Sequence, residues 1–424
     1  MDKNVYQAYI DILKEELVPA MGCTEPVAVA YAGALARETL GKLPTRTVLT
    51  VSGNIVKNVK SVIVPHTGGR KGLKAAVAAG ILYGKADREL EVLAEAVPEE
   101  IALLETEVEG LGIELERADS DHPFDLAVRA EAGEDYAYIR ILDHHTNLVL
   151  VEKNGEILQQ QPYTEQIGVP ENRALLNVKD IVTFAEEVRI EDIKEVLGRQ
   201  IEYNIAIAEE GLGGGWGARI GKTLLESYVD TVNNRAKAWA AAGSDARMSG
   251  CELPVVINSH SGNQGITASV PVIIYARDMG ATEEELYRAL AVSNLITIHL
   301  KTGIGSLSAY CGATSAGAGA GAGICFLHGG RYIEVAHTVV NAIAINSGMI
   351  CDGAKPSCAA KIASAVEAGL LGWQMYNHDN EFHGGDGIVI KGVENTIRAV
   401  SRIAREGMRS TDKEIIALML EENQ

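Results

Sequence analysis

The chain has 424 residues, 47% of them apolar and 22% charged, with a formal net charge of −19. This composition is ordinary for a globular protein, and the length allows two domains or one domain with a large insertion. The negative charge argues against a nucleic-acid partner, because phosphates would be repelled and no basic run offsets it.

Two helices are predicted before residue 45. The apolar spacing predicts the first over residues 5–17, and its acidic, amphipathic sequence differs from a secretory signal. No apolar run is long enough to cross a bilayer, so we expect a cytoplasmic protein with reduced thiols and no membrane partner. The second helix begins at TEPVAVAYAGALARETL with Thr24 as its N-cap. Cys23 precedes this N-terminus, whose partial positive charge is expected to lower the pKa of the thiol, although a buried cysteine beside a cap is the simpler alternative.

A compact α/β unit is predicted over roughly residues 45–165. TRTVLTVSGNIV and SVIVPHTGG alternate as strands do, a helix follows from near Gly72, and another is predicted over residues 88–112. Strand alternation then returns through DHHTN and beyond. A metal site at DHHTN is disfavoured, because adjacent residues on a strand point to opposite faces.

Helical periodicity dominates after about residue 175. GLGGGWG follows a helix and not a strand, so we interpret it as a helix C-cap and not as a nucleotide-binding loop. The AGAGAGAG run has a small residue at every position, which predicts helices packed closely at their backbones. We therefore expect an α+β protein: a mostly helical catalytic domain (173–424), an inserted α/β domain (45–172), and N-terminal helices (1–44) that pack on the catalytic domain.

Three cysteines in the last third of the chain could converge on one metal centre: Cys311, Cys351 and Cys358. Thiolates are soft ligands that favour zinc or an iron-sulfur cluster, and the C-x₆-C spacing with one distant cysteine is unlike structural zinc. A four-iron cluster held by only three cysteines would leave one iron without a protein ligand. The alternative is that these cysteines are buried as small apolar residues, and the spacing alone leaves both interpretations open.

The motifs KTGIGSLSAYCGATSAGAGAGAG and ICDGAKPSC resemble the catalytic part of the iron-sulfur L-serine dehydratases, whose alpha-chain family includes the L-cysteine desulfidases. MGCTEP, SGNIVKN and VPHTGG resemble the desulfidase branch in particular, as does the C-x₆-C spacing. The resemblance covers nearly the whole chain. It implies that Cys311, Cys351 and Cys358 ligate a [4Fe-4S] cluster and that Cys23 accepts a proton from the substrate.

The turn NSHSGNQG resembles the place where serine dehydratases carry a Thr-Asn-Gly turn beside the substrate. Ser261, Asn263 and Gln264 then offer hydrogen-bond donors for the carboxylate of a small amino-acid substrate at a helix N-terminus. A purely capping role for these residues is the competing interpretation. Cys251 and Cys325 are spare thiols in this scheme.

The resemblance implies an L-cysteine desulfidase, which converts cysteine to pyruvate, ammonia and hydrogen sulfide; we also expect a homo-oligomer, a dimer. L-serine dehydratase on the same cluster is an alternative, and a non-catalytic cluster protein that senses a small molecule is another. A pyridoxal phosphate enzyme with Lys301 as its Schiff-base lysine is disfavoured, because no convincing phosphate-binding loop accompanies that residue.

Overall fold

The computed structural model describes residues 1–120, 122–161, 171–305 and 307–421. In these ranges a mixed six-stranded sheet lies in the first part of the chain and helices dominate the rest, which confirms the predicted α+β class. The elements up to residue 161 are α1 (Lys3–Glu16), β1 (Pro19–Met21), α2 (Thr24–Leu40), β2 (Arg46–Val51), α3 (Gly53–Val59), α4 (Gly72–Tyr83), α5 (Pro98–Thr106), β3 (Ile113–Arg117), β4 (Asp125–Ala132), β5 (Asp135–Leu142), β6 (Leu148–Lys153) and β7 (Glu156–Gln160).

The elements from residue 171 onward are α6 (Val178–Glu187), α7 (Ile190–Gly213), α8 (Ile220–Ser227), α9 (Val232–Met248), β8 (Pro254–Val256), α10 (Gly262–Met279), α11 (Glu283–Ile304), α12 (Gly312–Leu327), α13 (Tyr332–Ile345), α14 (Cys358–Asn377), α15 (Val393–Arg402) and α16 (Arg409–Glu421). Short 3₁₀ segments occur at Ala86–Glu91, Glu109–Leu111 and Arg173–Leu175, and a π-helical segment at Ile403–Gly407. In the described part of the chain no helix is both long and apolar enough to span a membrane.

The large sheet has the strand order β3-β2-β4-β5-β6-β7, with β2 and β3 parallel and the other neighbours antiparallel. Helix α2 packs on β4 and β5, and α4 packs on α2. The two helices are so close that a Cβ atom on Gly80 would lie 1.9 Å from the carbonyl oxygen of Ala30. Only glycine fits there, and the contact fixes α2, with Cys23 at its start, relative to the sheet.

The N-terminal segment is also joined to the helices. Helix α1 packs on α7 and α11, and the fully buried Tyr9 donates a 2.9 Å hydrogen bond to the carbonyl oxygen of Leu175. Strand β1 pairs antiparallel with β8. The hydroxyl of Thr24 then donates a 3.0 Å hydrogen bond to the carbonyl oxygen of His260. These contacts hold the segment that carries Cys23 beside the turn that precedes α10. The predicted domain boundaries stay predictions.

Helix α12 lies at the centre of the helical part, packed against α10, α11, α13 and α14. Gly317 and Gly321 face α14, whereas Gly319 and Gly323 face α11. A Cβ atom on Gly317 would lie 2.2 Å from the carbonyl oxygen of Ala365. The predicted close packing is therefore confirmed, and it offsets the roughly 1 kcal/mol that each glycine costs a helix relative to alanine.

Three stretches differ from their predicted elements. SVIVPHTGG, predicted as a strand, is a loop between α3 and α4 that carries the isolated bridge between Ile63 and Lys71. The strand predicted through SGNIV ends at Val51, and the helix α3 follows it. Most side chains of α3 are buried against other parts of the fold, so tertiary packing overrides the local strand pattern. The single helix predicted over residues 88–112 is broken into 3₁₀ segments and α5. Pro98 opens α5 because proline cannot continue a preceding helix.

Candidate active site

A cavity of about 120 Å³ is enclosed by the N-terminal segment, loops of the sheet and the helical part. The cysteines predicted to be functional all line it: Cys23, Cys311, Cys351 and Cys358. So do the residues predicted to bind the substrate carboxylate: Ser261, Asn263 and Gln264. The spare thiols Cys251 and Cys325 are buried elsewhere. Residues that are distant in the sequence thus meet around one space.

Three of these cysteines lie at the start of a helix or in a loop that is hydrogen-bonded to a neighbouring segment. Cys311 is the N-cap of α12, and Cys358 is the first residue of α14. The loop carrying Cys351 is hydrogen-bonded to the segment before α12, from the amide of Cys311 to the carbonyl of Met349 (3.0 Å) and from the amide of Cys351 to the carbonyl of Ala309 (2.6 Å). These two bonds bring Cys311 and Cys351, which are far apart in sequence, onto neighbouring backbone segments.

The thiols that line the cavity are soft donors of the kind that iron-sulfur clusters take. Burial raises the pKa of Cys311 to about 12, and the neighbouring Cys351 adds to the effect; burial also raises the pKa of Cys358. Among the described residues, no three His, Cys, Asp or Glu side chains surround a position for one metal ion. A four-iron cluster takes each cysteine on a different iron, so three soft donors spread around one cavity fit it.

Cys23, and not Thr24 as predicted, is the N-cap of α2, and it is only 2% exposed. Its thiol donates a 3.3 Å hydrogen bond to Oε2 of Glu25. The expected lowering of its pKa by the helix N-terminus is wrong. Burial raises the pKa of Cys23 well above its ordinary value, and the nearby Glu25 carboxylate raises it further, although Arg247 acts in the other direction. Desolvation of the thiolate outweighs the helix dipole here.

Glu25 is the acceptor of three hydrogen bonds. Besides the thiol of Cys23, the hydroxyl of Thr24 lies 3.1 Å from Oε2 and shares its one proton between Oε2 and the carbonyl oxygen of His260, and the amide of Asn58 donates to Oε1 at 3.0 Å. Burial opposes its ionisation, but the neighbouring His145, the bond from Cys23 and the positive charge of Arg247 hold the pKa of Glu25 below its usual value. An ionised carboxylate therefore contacts a thiol that keeps its proton at neutral pH, so transfer of that proton to Glu25 is uphill in the resting site. In the sequence, Glu25 is recognisable only as an acidic residue in a first helical turn.

The turn before α10 presents polar groups to the cavity. Ser259 and His260 both have positive φ, at 48° and 65°, between residues Asn258 and Ser261, whose backbones pair. Two consecutive residues other than glycine in this conformation are strained, which is common where a turn forms a binding site. The side chain of Ser261 makes no capping hydrogen bond, so the structure does not support a purely capping role. Oε1 of Gln264 is buried and has no hydrogen-bond partner among the described residues.

Arg247, at the end of α9, is a cavity residue that the sequence did not indicate. It is 2% exposed, and its Nη1 donates a 3.1 Å hydrogen bond to Oδ1 of Asn263, while its buried Nε has no partner in the described chain. A Cβ atom on Gly262 would lie 2.3 Å from that Nε. The glycine of SGNQG is therefore required by the guanidinium group above it. This positive charge is placed among the side chains predicted to bind a carboxylate.

Three lysines also line the cavity, and one of them, Lys361, donates hydrogen bonds to Asp352 and to the carbonyl oxygen of Ile350. Lys57, on the unpredicted helix α3, pairs with Asp412 at 2.6 Å and lies 3.5 Å from the carbonyl oxygen of Cys351. Lys301 donates a hydrogen bond to the carbonyl oxygen of Gly305, and burial lowers its pKa to about 8. The sequence indicated Lys57 only as part of SGNIVKN, because that stretch was predicted to be a strand.

His145 of DHHTN is brought into the cavity by the loop after β5. It is buried, and neither ring nitrogen has a hydrogen-bond partner among the described residues. Burial lowers its pKa to about 4, although the neighbouring Glu25 carboxylate acts in the other direction. Outside the cavity, the helix C-cap predicted in GLGGGWG is confirmed, since α7 ends at Gly213.

Comparisons with known proteins identify the family of this chain. The family model described as Serine dehydratase alpha chain matches residues 87–417. A UPF0597 protein of Desulfitobacterium hafniense (strain Y51) is 58% identical over 416 residues, which cover 98% of this chain and 97% of that protein. UPF0597 proteins of Lachnoclostridium phytofermentans and Treponema denticola are 45% and 43% identical, over 98% and 100% of this chain and 100% of each relative. The similarity to these relatives therefore spans Cys23 as well as the later cysteines.

Proposed function

The chain belongs to the serine dehydratase alpha chain family, and on that premise we propose that it is an L-cysteine desulfidase, a carbon-sulfur lyase. The reaction is a β-elimination in which L-cysteine and water give pyruvate, ammonia and hydrogen sulfide. The observation that carries the proposal is the meeting of Cys23 with Cys311, Cys351 and Cys358 around one cavity. A proton acceptor and a set of soft metal ligands then face the same bound molecule.

The cofactor of the proposal is a [4Fe-4S] cluster held by Cys311, Cys351 and Cys358. When bound, it supplies Lewis-acid chemistry toward the substrate from an iron that has no protein ligand. The support is the family membership and the chemistry of the donor set, three thiols from two helix starts and one loop. The protein's own part is to hold these thiols in fixed positions through the pairing of residues 309–311 with residues 349–351.

Cys23 is the proposed base, and Glu25 is the proposed acceptor of its thiol proton; because the pKa of Cys23 is raised and that of Glu25 is lowered, the thiolate form is a minor species. The thiol form of Cys23 is favoured at neutral pH, since burial and Glu25 raise its pKa. Its proton moves along the 3.3 Å hydrogen bond to Glu25, which leaves a thiolate on Cys23. The thiolate takes the α-proton of cysteine, the electrons of that C–H bond form the double bond, and the C–S bond breaks with its electron pair on sulfur. Aminoacrylate leaves and hydrolyses, and Glu25 releases its proton before the next turnover.

The substrate carboxylate is proposed to lie against Arg247 and the turn before α10. The guanidinium group is buried, so its charge is poorly screened and its attraction for a carboxylate is strong. Asn263 already accepts a bond from Nη1, which orients the guanidinium, while the side chains of Ser261 and Gln264 line the same wall. These contacts would set the orientation of the α-carbon toward Cys23.

L-Serine dehydratase on the same cluster is the alternative within the lyase class. Serine and cysteine share the carboxylate and the ammonium group and differ in the leaving atom, so the Arg247 contacts would serve both. The resemblance of Cys23 and of the C-x₆-C spacing to the desulfidase branch favours cysteine. Rates of pyruvate formation from the two amino acids, measured with the same preparation, separate these functions. A sensor would bind a ligand without turning over either amino acid.

The test combines cluster content with sulfide release under anaerobic conditions. Iron, acid-labile sulfide and the visible spectrum are measured for the wild type and for Cys311→Ala, Cys351→Ala and Cys358→Ala, with Cys251→Ala and Cys325→Ala as controls. We expect about four irons per chain in the wild type and the controls, and loss of the cluster and of sulfide release in the three ligand variants. Cys23→Ala should keep the cluster and lose activity. Sulfide release by iron-free protein would contradict the proposal.

A further inference from the structure

A second, larger cavity adjoins the first. Its volume is about 590 Å³, within the range of roughly 300–1,000 Å³ that is usual for small-molecule sites. It is formed by the start of α3, the end of β3, the end of α11 and the start of α16. Leu307 and Ser308 line both cavities, so this space lies directly beside the cysteine site but contains none of its cysteines.

The second cavity is positively charged in a chain whose formal net charge is −19. Its arginine and lysine side chains are Arg117, Arg405, Arg409 and Lys413. The one carboxylate among its described lining residues, Asp412, is paired with Lys57 at 2.6 Å. Arg405 contacts Glu406 at 3.7 Å, whereas no ion pair joins Arg117, Arg409 or Lys413 to a described residue. Several cations therefore line one space, and among the described lining residues the carboxylate of Asp412 is already paired with Lys57.

Asn54 is a buried polar side chain in the wall of the cavity. It lines the cavity and is only 8% exposed, yet its Oδ1 has no hydrogen-bond partner among the described residues. A buried polar group without a partner is rare and costs stability, so a native protein normally satisfies it with a bound molecule or water. Rotation of the amide would let Asn54 offer either a donor or an acceptor to that molecule.

The charge of the cavity decides the class of ligand. A neutral amino acid such as cysteine has no net charge, and acetate or pyruvate carries a single negative charge, so none of them matches this excess of cations. Arginine and lysine side chains in a partly enclosed site are the usual partners of phosphate groups and of several carboxylates together. We propose that the second cavity binds a multiply charged small oxyanion, a molecule that bears phosphate groups or several carboxylates. The inference does not depend on the proposed desulfidase activity.

Binding of inorganic pyrophosphate to the full-length protein, measured by isothermal titration calorimetry at fixed ionic strength, tests this site, with acetate as the monovalent probe. We expect pyrophosphate to bind at least about tenfold more tightly than acetate. The Arg409→Ala/Lys413→Ala variant should weaken pyrophosphate binding by about tenfold or more, and Arg117→Ala, in a different element of the cavity wall, should also weaken it. Arg402→Ala is the matched control, because that side chain is 81% exposed and does not line the cavity.

The two variants distinguish the loss of a binding group from a local disturbance of the fold. Arg117 and the pair Arg409 and Lys413 belong to different elements, so a local disturbance of α16 cannot explain weakening in both variants. Pyrophosphate affinity that is unchanged in both would place the binding elsewhere and overturn the proposal. So would absence of binding in the wild type, or equal affinity for pyrophosphate and acetate. Citrate as a third probe distinguishes a site for several carboxylates from one that accepts only phosphate groups.

Discussion

Replacing Glu25 by glutamine removes the proton acceptor of Cys23 while nearly preserving the shape of the side chain. In the wild type the carboxylate accepts bonds at 3.3, 3.1 and 3.0 Å from Cys23, Thr24 and Asn58. Glutamine can still accept a hydrogen bond at this position, but it cannot take up the proton. A positioned proton acceptor contributes about 10²–10⁴-fold to rate. We therefore expect kcat to fall about 100-fold at pH 7, with KM changed much less, because Glu25 is not among the proposed carboxylate contacts.

The pH dependence separates this role from a structural one. The pKa of Glu25 is below its usual value, so the wild type should show no acid limb from this residue above about pH 5. In Glu25→Gln the negative charge that raises the pKa of Cys23 is gone, but its proton must leave to solvent. The kcat of the variant should rise about tenfold per pH unit until the thiol is ionised, so activity recovers toward alkaline pH.

The assay is anaerobic sulfide release from L-cysteine between pH 6 and 10, with cluster content measured on each sample. Asn58→Ala is the control, because it removes one donor to the same carboxylate and leaves the acceptor in place. We expect this control to keep a pH profile like that of the wild type. A Glu25→Gln variant with the wild-type profile, or one equally inactive at every pH with its cluster intact, would refute the proton-transfer role.

Three further predictions concern packing, a buried ion pair and substrate binding. Gly317→Ala should destabilise the fold by about 1–3 kcal/mol in denaturant unfolding, because the added methyl group meets the backbone of Ala365. Gly213→Ala is its control: the space around that position is open, so the free energy of unfolding should be unchanged or higher. Asp412→Asn should cost about 3 kcal/mol by the same measurement, because it leaves the buried charge of Lys57 unpaired; a loss under 1 kcal/mol would contradict this. Arg247→Lys should raise KM for L-cysteine at least about tenfold in steady-state assays with less change in kcat, and an unchanged KM would remove it from the carboxylate site.

The candidate site was predictable where one residue type carries the chemistry. Cysteines are few and chemically distinctive, so Cys23 and Cys311 could be selected from type, spacing and resemblance, and both line the cavity. Arg247 and Lys57 could not be selected in this way, because surface arginines and lysines are common and nothing local marks a buried one. Arg247 lies on α9 and Lys57 on α3, and both residues are buried only because these helices pack against other parts of the folded chain. The sequence pattern of α3 predicted a strand, so its helix was not expected.

The fold class and the packing of α12 follow from local information. The spacing of apolar residues and the size of each side chain can be read from the sequence itself. A run of small residues such as AGAGAGAG permits close contact between helix backbones wherever the helix lies in the fold. The chemistry of Cys23 was decided by tertiary structure. Its position before α2 predicted a lowered pKa, but the fold buries the thiol and sets Glu25 against it, and both effects raise the pKa. A helix dipole belongs to one segment, whereas desolvation depends on every segment that closes around the group.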